Sequence, residues 1–480
     1  MKKNLFLLFI ILISNFSFSQ SITFEKWYDF GFAESGRCVQ QTSDGGYIVA
    51  GRQGIGFGSS NYLLVKTDSL GNELWHRSFG SPGDNELNAI KQTFDGGYIV
   101  TGQTTGTQAN YYDVSWIKLN SNGNTVWSKK FTPPPPDYIG TGTDVIQTVD
   151  SGYAILANIN DTIGANITNA GLLIKTSMNG DTLWTKKFKY RAGTVTNSIK
   201  LTSDSGFIIV GTIALTTGPF SFNVYLIKTD ANGDTLWTKA INTSNNFEGA
   251  YNIAVLDSGG FFIRGKIGYV STSTTGIFIL QINSQGDSIW TKTFCPDCGG
   301  SGADKKANDG FIVTGTKDIG NASYIYLASV DGEGDTIWTK TFGNGLGGGD
   351  SGFFVQTTSD GGCIATGDRG VASAVYLIKT DSSGNVVISV DELHLDENSI
   401  VVYPNPFSYE ATVLLPEKVK NESDVEFRLL DMLGRTVSES RLNPSLGKIK
   451  FQRNKLNAGV YLLQLFSNEE LIASKKIVIQ

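Results

Sequence analysis

Apolar residues along this chain fall in short dense runs, not in helical stripes. GFIIVGT (206–212) and VYLIKT (224–229) are nearly continuous apolar segments bounded by turn residues. Runs of that length without alternation predict strands covered on both faces. The stretch NVYLIKTDANGDTLWTK (223–239) shows the unit that organises the chain: an apolar strand, a tight turn, and a second strand containing Trp237.

The unit recurs. Trp75, Trp127, Trp184, Trp237, Trp290 and Trp338 each follow Gly-(Asn/Asp)-x-aliphatic. An upstream marker, an Asp before Gly or Ser-Gly and usually an aromatic, stands at Asp44, Asp95, Asp150, Asp204, Asp257, Asp309 and Asp360. A period of about fifty residues means repeats, and seven markers give seven units. The first reads as strands over 37–42, 46–52, 62–68 and 73–79. Repeated four-stranded sheets covered on both faces predict an all-β fold, a seven-bladed β-propeller over 20–390. Each Trp is expected to be a buried plug between blades. Phe24–Gly31 reads as a closing strand with nothing before it, and the seventh unit has Ile388 where its Trp belongs. Circular closure is therefore expected, with Trp27 as the missing plug.

The turns have conformational explanations. In Asp230–Asp234 the glycine supplies a positive φ and the Asp caps local amides. DGEGD (331–335) and DSSGN (381–385) could alternatively hold calcium, but such loops need more ligands at fixed spacing. Loops between second and third strands, and those joining units, vary in length; the other turns are uniform. One face should thus be regular and the other variable, and function usually resides in variable loops. Tyr111, Tyr112, Tyr138, Tyr190, Phe220 and Tyr269 belong to the variable set and are the candidate ligand-binding residues, for a glycan or a protein. Self-packing of the loops is the competing reading.

From 391 the character changes. Residues 391–398 are polar and acidic and read as a linker. Strand patterns then follow at 399–403, 411–415, 424–430, 435–440, 447–452, 459–466 and 471–479, predicting a small Ig-like antiparallel sandwich. At the other end, Met1-Lys2-Lys3, the apolar run 5–13 and Ser17-Phe18-Ser19 predict a signal peptide cleaved between Ser19 and Gln20. No other apolar run approaches membrane length.

Composition narrows the chemistry. A net charge of −6 leaves no basic footprint for nucleic acid. Cys38 and Cys363 sit in strand patterns and read as core residues, while Cys295 and Cys298 are close enough for a local disulfide. His76 and His394, the only histidines, read as bystanders. Variable-loop acids (Asp84, Glu86, Asp137, Asp144, Asp161, Glu248, Asp350) could supply a glycosidase pair, but nothing selects two of them. No cofactor or metal is called for, and a monomer is expected.

Two resemblances follow from these residues. VYLIKTDANGDTLW (224–237) resembles the tryptophan-docking blades of pyrroloquinoline-quinone-type propellers. That family commonly has eight blades, a calcium and often vicinal cysteines, so the resemblance implies the fold and not the quinone. The C-terminal stretch is similar to the type A sorting domain of Bacteroidota type IX secretion cargo. The matching residues are Tyr403-Pro404-Asn405-Pro406, Gly434-Arg435 after Asp431, Gly459-Val460-Tyr461 and Lys475-Lys476 before the aliphatic end. This implies export through the periplasm by the type IX machinery, to the medium or cell surface. Triplets such as Asp181-Thr182-Leu183 and Asp335-Thr336-Ile337 are also similar to an O-glycosylation sequon of that phylum, though they overlap the turns. The expected function is a non-catalytic binding or adhesion propeller; the alternatives are a polysaccharide hydrolase or lyase and a quinoprotein.

Overall fold

The computed structural model describes residues 22–56, 58–105, 111–133, 139–163, 166–190, 193–214, 222–242, 247–268, 275–300, 302–306, 309–343, 349–370, 373–386, 400–403, 405, 407, 409–415, 425–431, 434–442, 448–454, 456–467 and 470–479. Calls on Ser19, Gln20, Tyr138, Phe220, Tyr269, Pro404 and Pro406 lie outside these residues. The chain divides into two compact units, Met1–Val386 and Val387–Gln480. The described regular structure is all strand.

Among the described residues the first unit carries seven antiparallel sheets; the strands of the first five follow chain order, the sixth has a divided inner strand, and the seventh takes its outer strand from the chain's beginning. The first is Glu34–Gln41, Tyr47–Gly56, Ser59–Thr67 and Glu73–Phe79. Neighbouring sheets pack face to face in sequence, and Glu34–Gln41 packs against the seventh, so the sheets form a propeller-like ring. Apolar side chains from both faces of each middle strand fill the spaces between sheets, as in the cluster joining Ile48, Leu64, Tyr98 and Val100. This double coverage is why the strands read as unbroken apolar runs. In the sixth sheet the inner strand is broken into Cys298–Gly299 and Ala303–Lys305, both paired with Phe311–Ile319.

Closure uses the chain's beginning. Phe24–Tyr28 pairs antiparallel with Ala374–Thr380 and supplies the outer strand of the seventh sheet. The expected plug is corrected, however. Trp27 is 47% exposed, whereas Phe24 is 2% exposed. Register explains it: Trp75, Trp127, Trp184 and Trp237 lie opposite Lys66, Lys118, Lys175 and Lys228, and in the closing strand the residue opposite Lys379 is Phe24. Trp27 is three positions on and so faces the other side.

Each outer-strand aromatic docks on the next sheet. A Cβ added to Gly123, Gly180, Gly233 or Gly286 would lie 2.5–2.8 Å from Trp75, Trp127, Trp184 or Trp237, and one on Gly71 would lie 2.7 Å from Phe24. These glycines also have φ of 75–80°, so the position needs glycine twice over. The tryptophans are half-buried rather than fully buried, since one ring edge stays in solvent. Two residues beyond, a lysine reaches the same turn: Lys129–Asp181 at 2.7 Å, Lys186–Asp234 at 2.6 Å, and Lys26 Nζ to Asn72 Oδ1 at 2.9 Å. Asp181, Asp234 and Asp335 of the sequon-like triplets are thus held by lysines of the preceding sheet.

A second repeated device lies within five of the sheets. Lys66, Lys118, Lys175, Lys228 and Lys379 are buried and pair with Asp44, Asp95, Asp150, Asp204 and Asp360 at 2.7–2.9 Å. In the second sheet, Asp95 also accepts from the Thr93 hydroxyl and the Gly97 amide. Burial pushes the Asp95 and Asp204 carboxyls up, but the threonine, lysine and amide partners outweigh it and hold both at about 2. These pins explain five of the seven Asp markers; in the fifth and sixth sheets Gln281 and Ser329 stand at the lysine position, and Asp257 and Asp309 pair with Lys305 instead.

The second unit has two antiparallel sheets, one of Val401–Tyr403, Glu410–Leu414 and Lys448–Gln452, the other of Thr436–Leu442, Val425–Leu430, Gly459–Ser467 and Glu470–Ile479. Both contribute to one core around Val413, Phe427, Phe451, Leu463 and Ile477.

Candidate functional site

The inner strands line an axial cavity, and a local irregularity gives it its chemistry. In six sheets the register of the inner strand shifts between Gly36 and Cys38, Leu87 and Ala89, Gly142 and Asp144, Thr196 and Ser198, Ala250 and Asn252, and Gly352 and Phe354. Such bulges bend a strand and re-aim the extra side chain. The extra residues are Arg37, Asn88, Thr143, Asn197, Tyr251 and Phe353, and all six line one cavity of about 410 Å3.

In most of these sheets the bulge sits opposite a glycine in the second strand; in the third sheet Ala157 takes that place opposite Gly142. A Cβ on Gly51, Gly102, Gly211 or Gly367 would lie 1.8–2.0 Å from the backbone oxygen of Ser35, Glu86, Val195 or Ser351. An interior strand glycine commonly marks a bulge or a close backbone approach. The sixth sheet meets the same crowding differently, with Gly300 against Gly315 where the strand breaks.

Several bulge side chains bridge to the next sheet. Asn88 Nδ2 donates to Gly142 O (2.8 Å) and Asn197 Nδ2 to Ala250 O (2.7 Å). Arg37 pairs with Glu86 at 2.6 Å and covers the Phe353 ring at 4.5 Å. Asp144 accepts from the Ser198 hydroxyl and the Ile199 amide, with Lys200 3.7 Å away. Lys91 has no carboxylate partner among the described residues and lies 5.9 Å from the Phe354 ring centre. With both cavity acids matched by cations, Lys91 leaves the lining with a surplus positive charge. Behind Tyr251, Arg264 is fully buried and donates to the Gly300 and Thr314 carbonyls; burial pushes its pKa down to about 9. Sequence reasoning missed this ring, although the glycine in most second strands was its signal.

The predicted residues lie elsewhere. Tyr111 and Tyr112 are half-buried where the third strand of the second sheet begins, and burial followed by the Asp84 charge raises the Tyr112 pKa. Tyr190 rests on Tyr225 with ring centres 5.5 Å apart. Of the acids, Asp84 accepts from Ser60, Asp161 pairs with Lys187 and Lys189, and Glu248 is fully buried. Glu86 and Asp144 share the axial cavity, each engaged as described. His76 is exposed, paired with Glu73 and stacked near Phe30. Cys295 and Cys298 form a disulfide, and Cys38 and Cys363 are free and buried. Asp331, Glu333 and Asp335 bring carboxylate oxygens within 4.8 Å of one another, but Asp331 caps its own turn and Asp335 pairs with Lys292.

In the second unit the motif residues are locks. Asn405 donates to Lys476 O (3.1 Å) and accepts from the Val478 amide (2.8 Å). Gly434 turns with φ 77°, and Arg435 pairs with Asp431 at 2.7 Å. The Tyr461 hydroxyl donates to Asn457 O, two residues before Gly459. Lys475 and Lys476 lie on the last strand.

Residues 401–480 match the secretion system C-terminal sorting domain. No curated protein matches the chain in sequence. Among solved structures, a puromycin hydrolase mutant complexed with PGG is similar at 11% identity and a TM-score of 0.50, covering 89% of this chain and 58% of that one. A Dyadobacter fermentans protein of unknown function has 12% identity and a TM-score of 0.44, with 64% and 97% covered. The β-propeller domain of the Trilobed protease from Pyrococcus furiosus has 9% identity and a TM-score of 0.41, with 75% and 99% covered. The sorting domain marks the chain as type IX cargo bound for the cell surface or medium. No helix among the described residues is long and apolar enough to cross a membrane.

Proposed function

We propose that the first unit is a seven-bladed β-propeller, exported by the type IX machinery, that binds a glycan or protein ligand without transforming it. Residues 399–480 serve as an Ig-like sorting sandwich after a linker at 391–398, and residues 1–19 as the signal peptide. The likeness to quinone-type propellers concerns sheet docking alone.

One observation carries the binding reading. The framework positions of the repeat hold the same residues from sheet to sheet, whereas the bulge position holds Arg37, Asn88, Thr143, Asn197, Tyr251 and Phe353, all on one cavity. A scaffold whose docking positions recur from sheet to sheet while its inward-aimed side chains differ has room to specialise those side chains. Tyr111 and Tyr112, with the other variable-loop aromatics Tyr138, Tyr190, Phe220 and Tyr269, would extend the contact outward.

The test is a glycan-array and surface-protein screen of the full chain, followed by Lys91→Ala and Thr143→Val. Affinity for the ligand found should fall at least tenfold in Lys91→Ala with the melting temperature nearly unchanged. Undiminished affinity in both variants would remove the axial cavity from the binding surface.

A further inference from the structure

A second polar pocket lies at the closing seam, apart from the axial cavity. It measures about 230 Å3 and is lined from the first sheet by Glu34, Ser35 and Arg52, and from the seventh by Ser351, Asp368 and Arg369. Its volume is just below the roughly 300–1,000 Å3 of drug-sized sites, which suits a single ring with polar substituents.

The lining is unsatisfied. Among the described residues, Glu34 Oε2, Ser35 Oγ, Asp368 Oδ1 and, beside them, Asp350 Oδ2 are buried atoms without a hydrogen-bond partner. Glu34 and Ser35 are only 2% and 4% exposed. Glu34 Oε1 is held by the Phe32 amide and the Gln53 side chain, so the other oxygen is fixed in place. A buried acceptor left unpaired is costly, more so if charged, and four at one seam call for an explanation. Burial pushes the Glu34 and Asp368 carboxyls up, and on Asp368 it outweighs the nearby Ser35 and Gly36 and the Arg37 and Arg52 charges, which act the other way.

The donors across the pocket are also free of carboxylates. Arg52 makes no ion pair or hydrogen bond among the described residues, and Arg369 is engaged only by aromatic rings, 3.9 Å from the centre of Trp27 and 5.7 Å from that of Tyr376. A bare cation would satisfy the acids but face two guanidinium groups. An anion would satisfy the arginines but face Glu34, Asp350 and Asp368. A neutral ligand with several hydroxyls meets both, because each hydroxyl donates to a carboxylate and accepts from a guanidinium. Trp27 exposes an aromatic surface beside Arg369.

We propose that the pocket between the first and seventh sheets is a subsite for one saccharide unit, with Glu34 and Asp368 accepting from its hydroxyls and Arg52 donating to them. This site is independent of the axial reading and uses none of its residues.

The full chain is titrated with glucose, galactose, mannose and N-acetylglucosamine, and separately with calcium alone, by calorimetry and ligand-observed NMR. At least one sugar should bind, and Glu34→Gln, Asp368→Asn and Arg52→Ala should each weaken it at least fivefold. Glu34→Gln keeps the shape and an oxygen for the Phe32 amide, and Arg52 is not fully buried, so a folded variant is available. Binding of no sugar, sugar binding indifferent to all three seam variants, or calcium binding abolished by Glu34→Gln would each overturn the proposal.

Discussion

Phe24 lies on Gly71 as Trp75 lies on Gly123. The first strand of the chain thus repeats, with a smaller ring, the docking that joins every other described pair of neighbouring sheets in the ring, and it does so across the point where the chain closes on itself.

Phe24→Ala should therefore destabilise the first unit by about 3–5 kcal/mol, as buried aromatic truncations do. Trp27→Ala, on an exposed face, should change stability by less than about 1 kcal/mol. Urea unfolding of both variants checks this. Equal effects would mean that both rings carry the seam.

Gly233→Ala should lower stability by 2 kcal/mol or more (about the upper range of common point mutations). The new methyl would meet the Trp184 ring at 2.6 Å in a backbone with φ 76°. Trp184→Ala should cost about 2–3 kcal/mol, less than a fully buried aromatic, because one edge is already in solvent. Thermal melts of both proteins supply the comparison.

Acid should loosen the ring through its lysine-pinned aspartates. Asp95 and Asp204 titrate at about 2 in the fold, against about 3.9 when unfolded. A depressed acid contributes stability fully above the unfolded value and loses it as pH falls toward the folded one. The melting temperature should hold from neutral pH to about 4 and drop between about 4 and 2. Asp95→Asn should start lower at neutral pH and fall less steeply over that window.

Removing 401–480 should leave the first unit folded in the periplasm, since its core is made within residues 22–386. Attaching 391–480 to an unrelated periplasmic protein should carry it outside in a host with the type IX machinery. Cell fractionation reads both; a fusion that stays behind would show that further sequence is needed.

The sequence made the repeated sheets and the seven C-terminal strands legible because apolar runs and turn residues are local signals. Closure was legible too, yet its plug was misread. The larger ring at Trp27 outweighed spacing, although Phe24-x-Lys26 matches Trp127-x-Lys129 and Trp184-x-Lys186. The axial ring was encoded by the glycine in IVAG, IVTG and IIVG (48–51, 99–102 and 208–211), which announces a bulge but not where it points. The seam pocket could not be read at all. It brings Glu34 and Arg52 to Asp368, more than three hundred residues away, and becomes a pocket only when the ring closes.

The closing pairing also has a mechanical side. Phe24 lies opposite Lys379 and Tyr28 opposite Val375, so the chain before Phe24 and the chain after Thr380 leave the seam at the same end. Tension between them would peel the hydrogen bonds one at a time rather than shear them together. Load borne by the body of the ring and carried away by one end of the chain alone would bypass that zipper. A pull on one end thus spares the seam, while a pull on both ends opens it.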